Sequence, residues 1–430
     1  MNHKKILIIT VGGSDEPIVN AIKDLRDEIE FIYFICSGGK GKTASSPTID
    51  GEGKVIEVKK EIRCPHCEKI IQQEERRESI LKQSGYKGKY KKIEIENPDD
   101  FKEVYEKTST AINEAKKKRK EIICDFTGGT KTMSSILAIL SVLDFETKPV
   151  LTIGARRNII KTTGISHPEA LDVDSARIDF VWRIVDELIS KYLYFPASLI
   201  LKKLLQFGFK REIIENIRKK LALCEIFYKW DSFNYEEAFE NLKNYSKDYQ
   251  QYINYLLKLL DRTKNSGYEK VFDLISNAKR QEYNGFYDNG VARIYRAIEL
   301  FAQIRLKKEY NIDTSHLEET LPQLKDKIDI EKWENYANEE GEIKLGLIKA
   351  YELLMELGDK TGEVYRKRKG ELLEKIKIRN DSKLGHGDTP VKENNWKEIF
   401  NFCKGFIEEC CSNIGIKIEY PPEFPKEIQH

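Results

Sequence analysis

The sequence predicts a multidomain protein: an N-terminal α/β unit built on a parallel sheet, then an all-α linker region and a second all-α domain. Apolar strands alternate with helices up to about residue 175, an arrangement typical of a parallel sheet. From about residue 178, apolar residues recur with the 3.6-residue period of helices, and Pro and Gly become sparse. A chain of 430 residues accommodates two or three domains. We place them at 1–175, 176–284 and 285–430.

Short apolar runs separated by turn residues define the strands of the N-terminal unit. The loops at 11–14, 37–39 and 127–131 are rich in Gly, Ser and Thr, and each follows a predicted strand. Because ligands bind beyond the carboxyl ends of parallel strands, we expect these loops to share one site. Strands are predicted at 4–10, 31–36, 54–58, 92–95, 121–126 and 149–154, and helices from residue 15, at 99–119 and at 130–144.

Residues 125–131, Asp-Phe-Thr-Gly-Gly-Thr-Lys, have the features of an anion site. They link a buried strand to a helix, whose free N–H groups and dipole favour phosphate. The glycines allow close backbone approach, Lys131 adds a positive charge, and Thr127 and Thr130 add hydroxyl donors. The alternative is a tight turn with a solvated Lys131. The spacing differs from that of a Walker A loop, so ATP hydrolysis is disfavoured. The candidate ligand-binding residues are Gly12, Gly13, Ser14, Ser37, Gly38, Thr127, Gly128, Gly129, Thr130 and Lys131.

An insertion at about 40–90 carries Cys64 and Cys67 in a CxxC spacing that resembles half of a zinc site. No second CxxC or His pair lies nearby in the sequence, so a redox-active or incidental pair is the alternative. The Glu-, Arg- and Gln-rich stretch that follows predicts a solvated helix. The sequence assigns no role to this insertion.

Helical periodicity defines the rest of the chain. Four tyrosines lie at helical spacing in the linker region, where they either stack nucleic-acid bases or pack against a core, and packing is favoured: Tyr245, Tyr249, Tyr252 and Tyr255. The next helix starts near Tyr287 and carries an apolar stripe. The Pro-rich segment 421–425 is expected to be extended. Further helices are predicted at 344–357, 363–380 and 393–412.

A second constellation, Arg379, Asn380 and His386, follows the helix predicted at 363–380. Arg binds and neutralises phosphate, Asn orients the His or a sugar hydroxyl, and His exchanges a proton near neutral pH. This set suits RNA cleavage without metal, in which the 2′-hydroxyl attacks the adjacent phosphorus to give a 2′,3′-cyclic phosphate and a 5′-hydroxyl. The alternative is a helix-terminal Arg and an exposed His. The basic stretch 366–379 favours RNA, because it can follow a phosphate backbone.

The overall composition excludes some classes of protein and leaves the partner open. Lys plus Arg number 73 and Asp plus Glu number 71, so the net charge identifies no partner. No apolar run reaches about 18 residues, so no membrane span is expected. The first residues lack a signal-peptide pattern, and the eight cysteines suggest reduced thiols in a cytoplasm.

Both constellations resemble known motifs. Residues 125–131, together with Val11-Gly12-Gly13-Ser14, resemble the CRISPR-associated Rossmann fold (CARF). Arg379-Asn380 followed by Leu384-Gly385-His386-Gly387 resembles the HEPN ribonuclease motif, and residues 291–300 are similar to the first HEPN helix. The two motifs in this order resemble the CARF–HEPN ancillary ribonucleases of type III CRISPR systems. The resemblance covers roughly 1–170 and 285–420, and the 40–90 insertion does not map onto it.

The resemblance implies a function and its partners. A cyclic oligoadenylate would bind at the two-fold axis of a CARF homodimer, with a ring of four adenylates favoured over six. Binding would switch on cleavage of single-stranded RNA by the HEPN dimer, with Arg379, Asn380 and His386 as catalytic residues and no cofactor required. Some members of the family also cut their activator, a reaction that Ser14, Thr127 and Lys131 could support here.

Two other functions remain open on the sequence alone. The protein could be a regulator that senses a cyclic nucleotide and whose helical part binds a partner or DNA without catalysis. A dinucleotide-binding enzyme is disfavoured, because Gly12-Gly13-Ser14 breaks the GxGxxG spacing after the first strand.

Overall fold

A computed structural model describes residues 4–38, 44–51, 56–63, 66–67, 70–157, 160–382 and 387–428. The chain divides into two compact units. The first lies within Met1–Trp182 and includes Phe207–Lys210, and the second lies within Arg183–Gln206 and Arg211–His430. Each unit has its own hydrophobic core.

The first unit contains a six-stranded sheet with the order β5-β2-β1-β6-β7-β8. The first five strands in this order are parallel to their neighbours, and β8 pairs antiparallel with β7 at the edge. The predicted α/β unit with a mainly parallel sheet is therefore confirmed. The strands are β1 (Lys5–Val11), β2 (Ile29–Ser37), β3 (Ile56–Arg63), β4 (Ile70–Arg77), β5 (Lys89–Ile95), β6 (Ile122–Asp125), β7 (Thr147–Arg157) and β8 (Ile160–Ala170).

Helices cover both faces of this sheet. Successive residues of β1 point to opposite faces, and because both sets are apolar, each face must be buried by helices. Leu7 and Ile9 belong to the core on one face with Ile18 and Ile22 of α1. Ile6 and Ile8 belong to the core on the other face, where residues of α4 and α5 pack. The helices of this unit are α1 (Glu16–Leu25), α2 (Ser46–Asp50), α3 (Ile80–Ser84), α4 (Phe101–Lys116) and α5 (Lys131–Leu143).

The structure differs from the sequence predictions at β3 and β4. It also contains the edge strand β8, for which the sequence analysis predicted no strand. The strand expected at 54–58 overlaps β3, which pairs with β4 in a separate antiparallel hairpin and not in the main sheet. The solvated helix expected after Cys67 is wrong, since this stretch contains β4. The register of this hairpin pairs Ile56 with Arg77 and Arg63 with Ile70.

The second unit is helical, as predicted, and its long helices overlap the predicted ranges. Residues 416–428 contain neither helix nor strand, which fits the expectation for the Pro-rich segment. The helix α6 begins in the first unit and ends in the second. The helices are α6 (Asp174–Ser190), α7 (Tyr194–Leu204), α8 (Arg211–Asp231), α9 (Tyr235–Leu242), α10 (Ser246–Leu259), α11 (Glu269–Glu282), α12 (Tyr287–Tyr310), α13 (Ile330–Glu334), α14 (Leu347–Glu356), α15 (Lys360–Asn380) and α16 (Glu393–Asn413).

One continuous core joins α11, α12, α14, α15 and α16 in the second unit. Val271 and Phe272 of α11 belong to the same buried cluster as Phe301 of α12 and Phe406 of α16. The sequence placed α11 in the linker region, upstream of the boundary at 284/285. The core therefore includes residues on both sides of that boundary, which stays a prediction.

The C-terminal segment packs against the helices of the linker region through tyrosine hydroxyls. Tyr252 donates to the Glu423 carbonyl at 2.7 Å and Tyr255 to the Glu419 carbonyl at 3.0 Å. Both rings are buried, so the favoured interpretation as packing residues is confirmed for Tyr252 and Tyr255, while Tyr245 and Tyr249 are partly exposed. Phe424 is 1% exposed and its ring lies 4.9 Å from that of Trp230.

A buried ion pair fixes the start of α15. Asp359 caps this helix and accepts hydrogen bonds from the backbone and hydroxyl of Thr361 at 2.8 and 2.6 Å. Arg305 of α12 donates to the other carboxylate oxygen at 2.8 Å, and Tyr310 donates to it at 3.0 Å. Burial raises the pKa of Asp359, but the bonds from Arg305 and Thr361 outweigh burial and leave this pKa below its ordinary value.

The substitution Asp359→Asn should lower the free energy of unfolding at pH 7 by about 3 kcal/mol, because it leaves Arg305 without its buried partner. The lowered pKa means that this stabilisation is complete above the unfolded-state pKa of Asp359, near 3.8, and is lost as pH falls through the folded-state value. Urea unfolding from pH 7 to pH 3 should therefore show the wild-type advantage shrinking below about pH 4.

Asp100→Asn is the matched control, since Asp100 also caps a helix but is exposed. Its unfolding free energy should change little, because Asn caps helices as well as Asp does. Equal destabilisation by the two substitutions would contradict the role given to the Arg305–Asp359 pair.

Candidate functional site

The three Gly/Ser/Thr loops meet at one edge of the sheet, where the strand order reverses. From β1 the chain continues to β2 on one side, and from β6 it continues to β7 on the other. The crevice between the carboxyl ends of β1 and β6 is thus the switch point at which α/β sheets bind ligands. The loops that follow β1 and β6 line this crevice.

Direct backbone contact holds the two loops together. A Cβ atom added to Gly12 would lie 2.7 Å from the Gly129 nitrogen, and one added to Gly128 would overlap the Thr10 carbonyl. Gly129 has a φ of +88°, a conformation that favours glycine. Thr10 donates its hydroxyl proton to the Gly128 carbonyl at 2.6 Å. Glycine is therefore required at these positions for the packing of the two loops.

A buried carboxylate supports the loop from beneath. Asp125 is fully buried; its Oδ1 accepts from the Thr127 amide at 2.9 Å and its Oδ2 from the Thr152 hydroxyl at 2.6 Å. The Thr152 amide in turn donates to the Thr127 hydroxyl oxygen at 2.6 Å. The sequence analysis did not assign roles to Asp125 and Thr152, although an Asp that ends an apolar strand is a local signal for the first of them.

The start of α5 presents positive charge at the crevice. The first-turn amides of Lys131 and Thr132 have no acceptor inside the helix. Lys131 is exposed, and within the described ranges no acidic side chain pairs with it. Thr130 is the N-cap: its hydroxyl accepts from the Met133 amide at 3.3 Å and donates to the Pro98 carbonyl at 3.0 Å. The Thr130 hydroxyl proton is thus already used within the protein.

Ser37 and Gly38 lie at the same edge but are engaged in loop structure. Ser37 donates its hydroxyl proton to Ser45 at 3.1 Å, and Ser45 donates to the Val11 carbonyl at 2.9 Å. The Gly38 amide donates to the Ile95 carbonyl at 2.8 Å. Gly13 and Ser14 are exposed next to Gly12. Among the described candidate residues, those whose side-chain protons are not donated within the protein are thus Ser14, Thr127 and Lys131.

Arg379 and Asn380 end α15 in the second unit. Arg379 donates from Nη1 to the Asn380 side-chain oxygen at 3.0 Å, and its guanidinium carbon lies 4.9 Å from the centre of the Tyr295 ring. Ser382 donates its hydroxyl proton to the Arg379 carbonyl at 2.7 Å. His386 lies outside the described residues.

The six basic side chains between residues 366 and 377 of α15 fall into two groups. Arg368, Lys369 and Lys375 each have a carboxylate neighbour. Arg366, Lys367 and Lys377 are exposed, and no ion pair involves them in the part of the chain that the structure describes. These three side chains give α15 a charge that is not compensated by a neighbouring acid.

Cys67 is exposed and free, while Cys64 lies outside the described residues. No three His, Cys, Asp or Glu side chains form a potential metal-binding group within the ranges that the structure covers. Burial raises the pKa of Cys36 to about 12.

No described helix is long and apolar enough to cross a membrane.

Residues 260–409 match the family model described as the Csm6 HEPN domain. Csm6 from Enterococcus italicus, solved bound to cyclic hexa-2′-fluoro-hexa-dAMP, is similar in fold with a TM-score of 0.57 and 14% sequence identity. The similarity covers 96% of this chain and 95% of that chain. No curated protein sequence matches. These findings confirm the resemblance to CARF–HEPN ancillary ribonucleases, and the family match starts upstream of the boundary placed at residue 285.

The substitution Gly12→Ala should lower the free energy of unfolding by about 1–3 kcal/mol, because the added methyl group overlaps the backbone of Gly129. Gly13→Ala is the matched control: a Cβ there meets no atom within 4 Å. Its stability should equal or slightly exceed that of the wild type. Chemical denaturation of both variants tests this, and equal stability of the two would contradict the close contact of the loops.

Proposed function

We propose that this protein is an ancillary endoribonuclease of a type III CRISPR system, activated by a cyclic oligoadenylate. The HEPN match over residues 260–409 carries this proposal, because it includes the helix that ends at Arg379 and Asn380. The second support is an anion cradle in the first unit, formed by Gly12, Gly129 and Lys131. Two phosphate-binding constellations in separate units suit one site that senses a ligand and one that cleaves RNA.

The activator is proposed to bind at the carboxyl edge of the sheet with its phosphates at the start of α5. The first-turn amides, the helix dipole and Lys131 all favour a negative charge at this position. Thr127 accepts a bond from the Thr152 amide, so its own proton remains for a phosphate oxygen. A ring of four adenylates is proposed in preference to a ring of six, and both rings are compared in the cleavage assay. Cleavage of the ring by this site, with Ser14 and Thr127 as candidates, remains part of the proposal.

The active form is proposed to be a homodimer, which exposed apolar side chains on α4 and α5 support. Ile139 and Leu143 of α5 are 47% and 51% exposed, and their four-residue spacing makes them neighbours on the surface of this helix. Phe101 and Tyr105 of the neighbouring α4 are also exposed and stack on each other. A second copy related by two-fold symmetry would cover this surface and bring a second cradle to a cyclic ligand.

RNA cleavage is assigned to Arg379, Asn380 and His386. The uncompensated charge of Arg379 suits a scissile phosphate, on which negative charge develops in the transition state. His386 is proposed to transfer protons to and from the RNA oxygens, so the 2′-hydroxyl of the substrate is the nucleophile and no metal is needed. Arg366, Lys367 and Lys377 are proposed to contact the phosphate backbone of single-stranded RNA, which explains why acids do not neutralise them.

The purified protein should cleave single-stranded RNA in EDTA when a ring of four or six adenylates is added, leaving 2′,3′-cyclic phosphate ends. Arg379→Ala and His386→Ala should each lower the rate by about 100-fold or more, since each removes a group that acts in the transition state. A fluorogenic RNA assay measures these rates. Arg218→Ala, an exposed Arg on α8, is the control and should cleave normally. Normal cleavage by His386→Ala would end the assignment of this residue.

Lys131→Glu should weaken ring binding by about tenfold or more, because it reverses the side-chain charge at the helix start. The ring concentration that gives half of the maximal cleavage rate should rise correspondingly. Lys23→Glu makes the same charge change at an exposed position at the far end of α1 and should bind normally. Calorimetric titration compares the two variants, and equal affinities would remove Lys131 from the ligand site.

A further inference from the structure

We propose that Tyr295 is a positioning residue for RNA cleavage: its ring holds the Arg379 guanidinium while leaving the positive charge of that group free for the RNA phosphate. This inference rests on the proposed function, since it concerns the same Arg379. It adds a residue of α12 to a motif that otherwise lies entirely at the end of α15. No pattern near Arg379 in the sequence points to Tyr295, which precedes it by 84 positions.

Two neutral groups hold the Arg379 side chain. The Tyr295 ring lies under the guanidinium with 4.9 Å between the guanidinium carbon and the ring centre. The Asn380 side-chain oxygen accepts a bond from Nη1 at 3.0 Å. No carboxylate in the described part of the chain pairs with Arg379. A phosphate that approaches this Arg therefore does not compete with an internal anion.

Other basic residues on α15 are held differently. Arg368 also lies over an aromatic ring, that of Phe402 at 4.4 Å, but Glu409 lies 3.6 Å from its guanidinium. Lys369 pairs with Glu352 at 2.9 Å. A carboxylate neutralises these cations, whereas an aromatic face attracts a guanidinium without adding a full negative charge. The structure thus gives the neutral support to the Arg of the RNA-cleavage motif.

The Tyr295 ring is itself fixed by the protein core. Its side chain is half-buried and packs against the hydrophobic cluster that joins α12, α14, α15 and α16. The preceding residue, Ile294, is fully buried, so the helix cannot rotate to withdraw the ring without disrupting this cluster. Arg379 lies in the last turn of α15, and the fixed ring of Tyr295 restrains its side chain there.

The experiment compares RNA cleavage by activated wild type, Tyr295→Phe and Tyr295→Leu. Phe keeps the ring and should cleave at the wild-type rate. Leu loses the ring, and kcat should fall about tenfold, the effect of one cation–π contact, with little change in KM. In an Arg379→Ala background, Tyr295→Leu should cause no further loss, because its effect passes through Arg379.

Tyr336→Leu is the matched control, since it removes another cation–π contact in the same unit. In that contact Lys349 Nζ lies 3.5 Å from the centre of the Tyr336 ring. This variant should cleave normally. Normal cleavage by Tyr295→Leu, or a loss that Phe fails to rescue, would overturn the inference even when Arg379→Ala is inactive. Normal cleavage by Arg379→Ala would instead refute the proposed catalytic site. The outcomes therefore separate failure of the inference from failure of the proposed function.

Discussion

The contact between the backbones of Gly12 and Gly129 is the constraint on which the anion cradle depends. It places the loop after β1 against the loop after β6, so that the first turn of α5 faces the crevice at the switch point of the sheet. At the other end of α5, Arg177 of α6 donates to the carbonyls of Val142, Ser141, Asp144 and Thr147 at 2.8–2.9 Å. A cation thus stabilises the negative end of this helix, while the amides at its positive end lie at the crevice.

The helix α15, which ends at Arg379 and Asn380, is also held at both ends. The buried bonds between Asp359 and Arg305 hold the start of α15 against α12, and the contact between Arg379 and Tyr295 links the same two helices where α15 ends. Each end of α15 is therefore restrained by α12. This arrangement suits chemistry in which one guanidinium must stay oriented, because small displacements of a catalytic group reduce rates strongly. The helix that contains Arg379 and Asn380 is thus fixed by charge at its start and by an aromatic ring at its end.

The sequence predicted the parts of the fold that local patterns encode. Continuous apolar runs identified β1, β2 and β6, and the Gly-rich loops were placed at the correct edge of the sheet. The strand β4 was missed because Gln72 to Arg77 have no apolar alternation, and only pairing with β3 explains their conformation. At the site, the bond from Thr152 to Asp125 spans 27 positions, and no local spacing predicts it. Thr130 was expected to donate to a ligand, yet its proton is donated to Pro98, a partner that the sequence does not reveal.

The most direct test follows ligand occupancy and RNA cleavage in one sample. A labelled cyclic adenylate ring is titrated into the full-length protein in EDTA, and both ring binding and the initial rate of RNA cleavage are recorded at each concentration. If the cradle at α5 controls the site at α15, the cleavage rate should rise in proportion to the fraction of protein that holds a ring. Full occupancy without cleavage, or cleavage that is the same with and without the ring, would contradict this account.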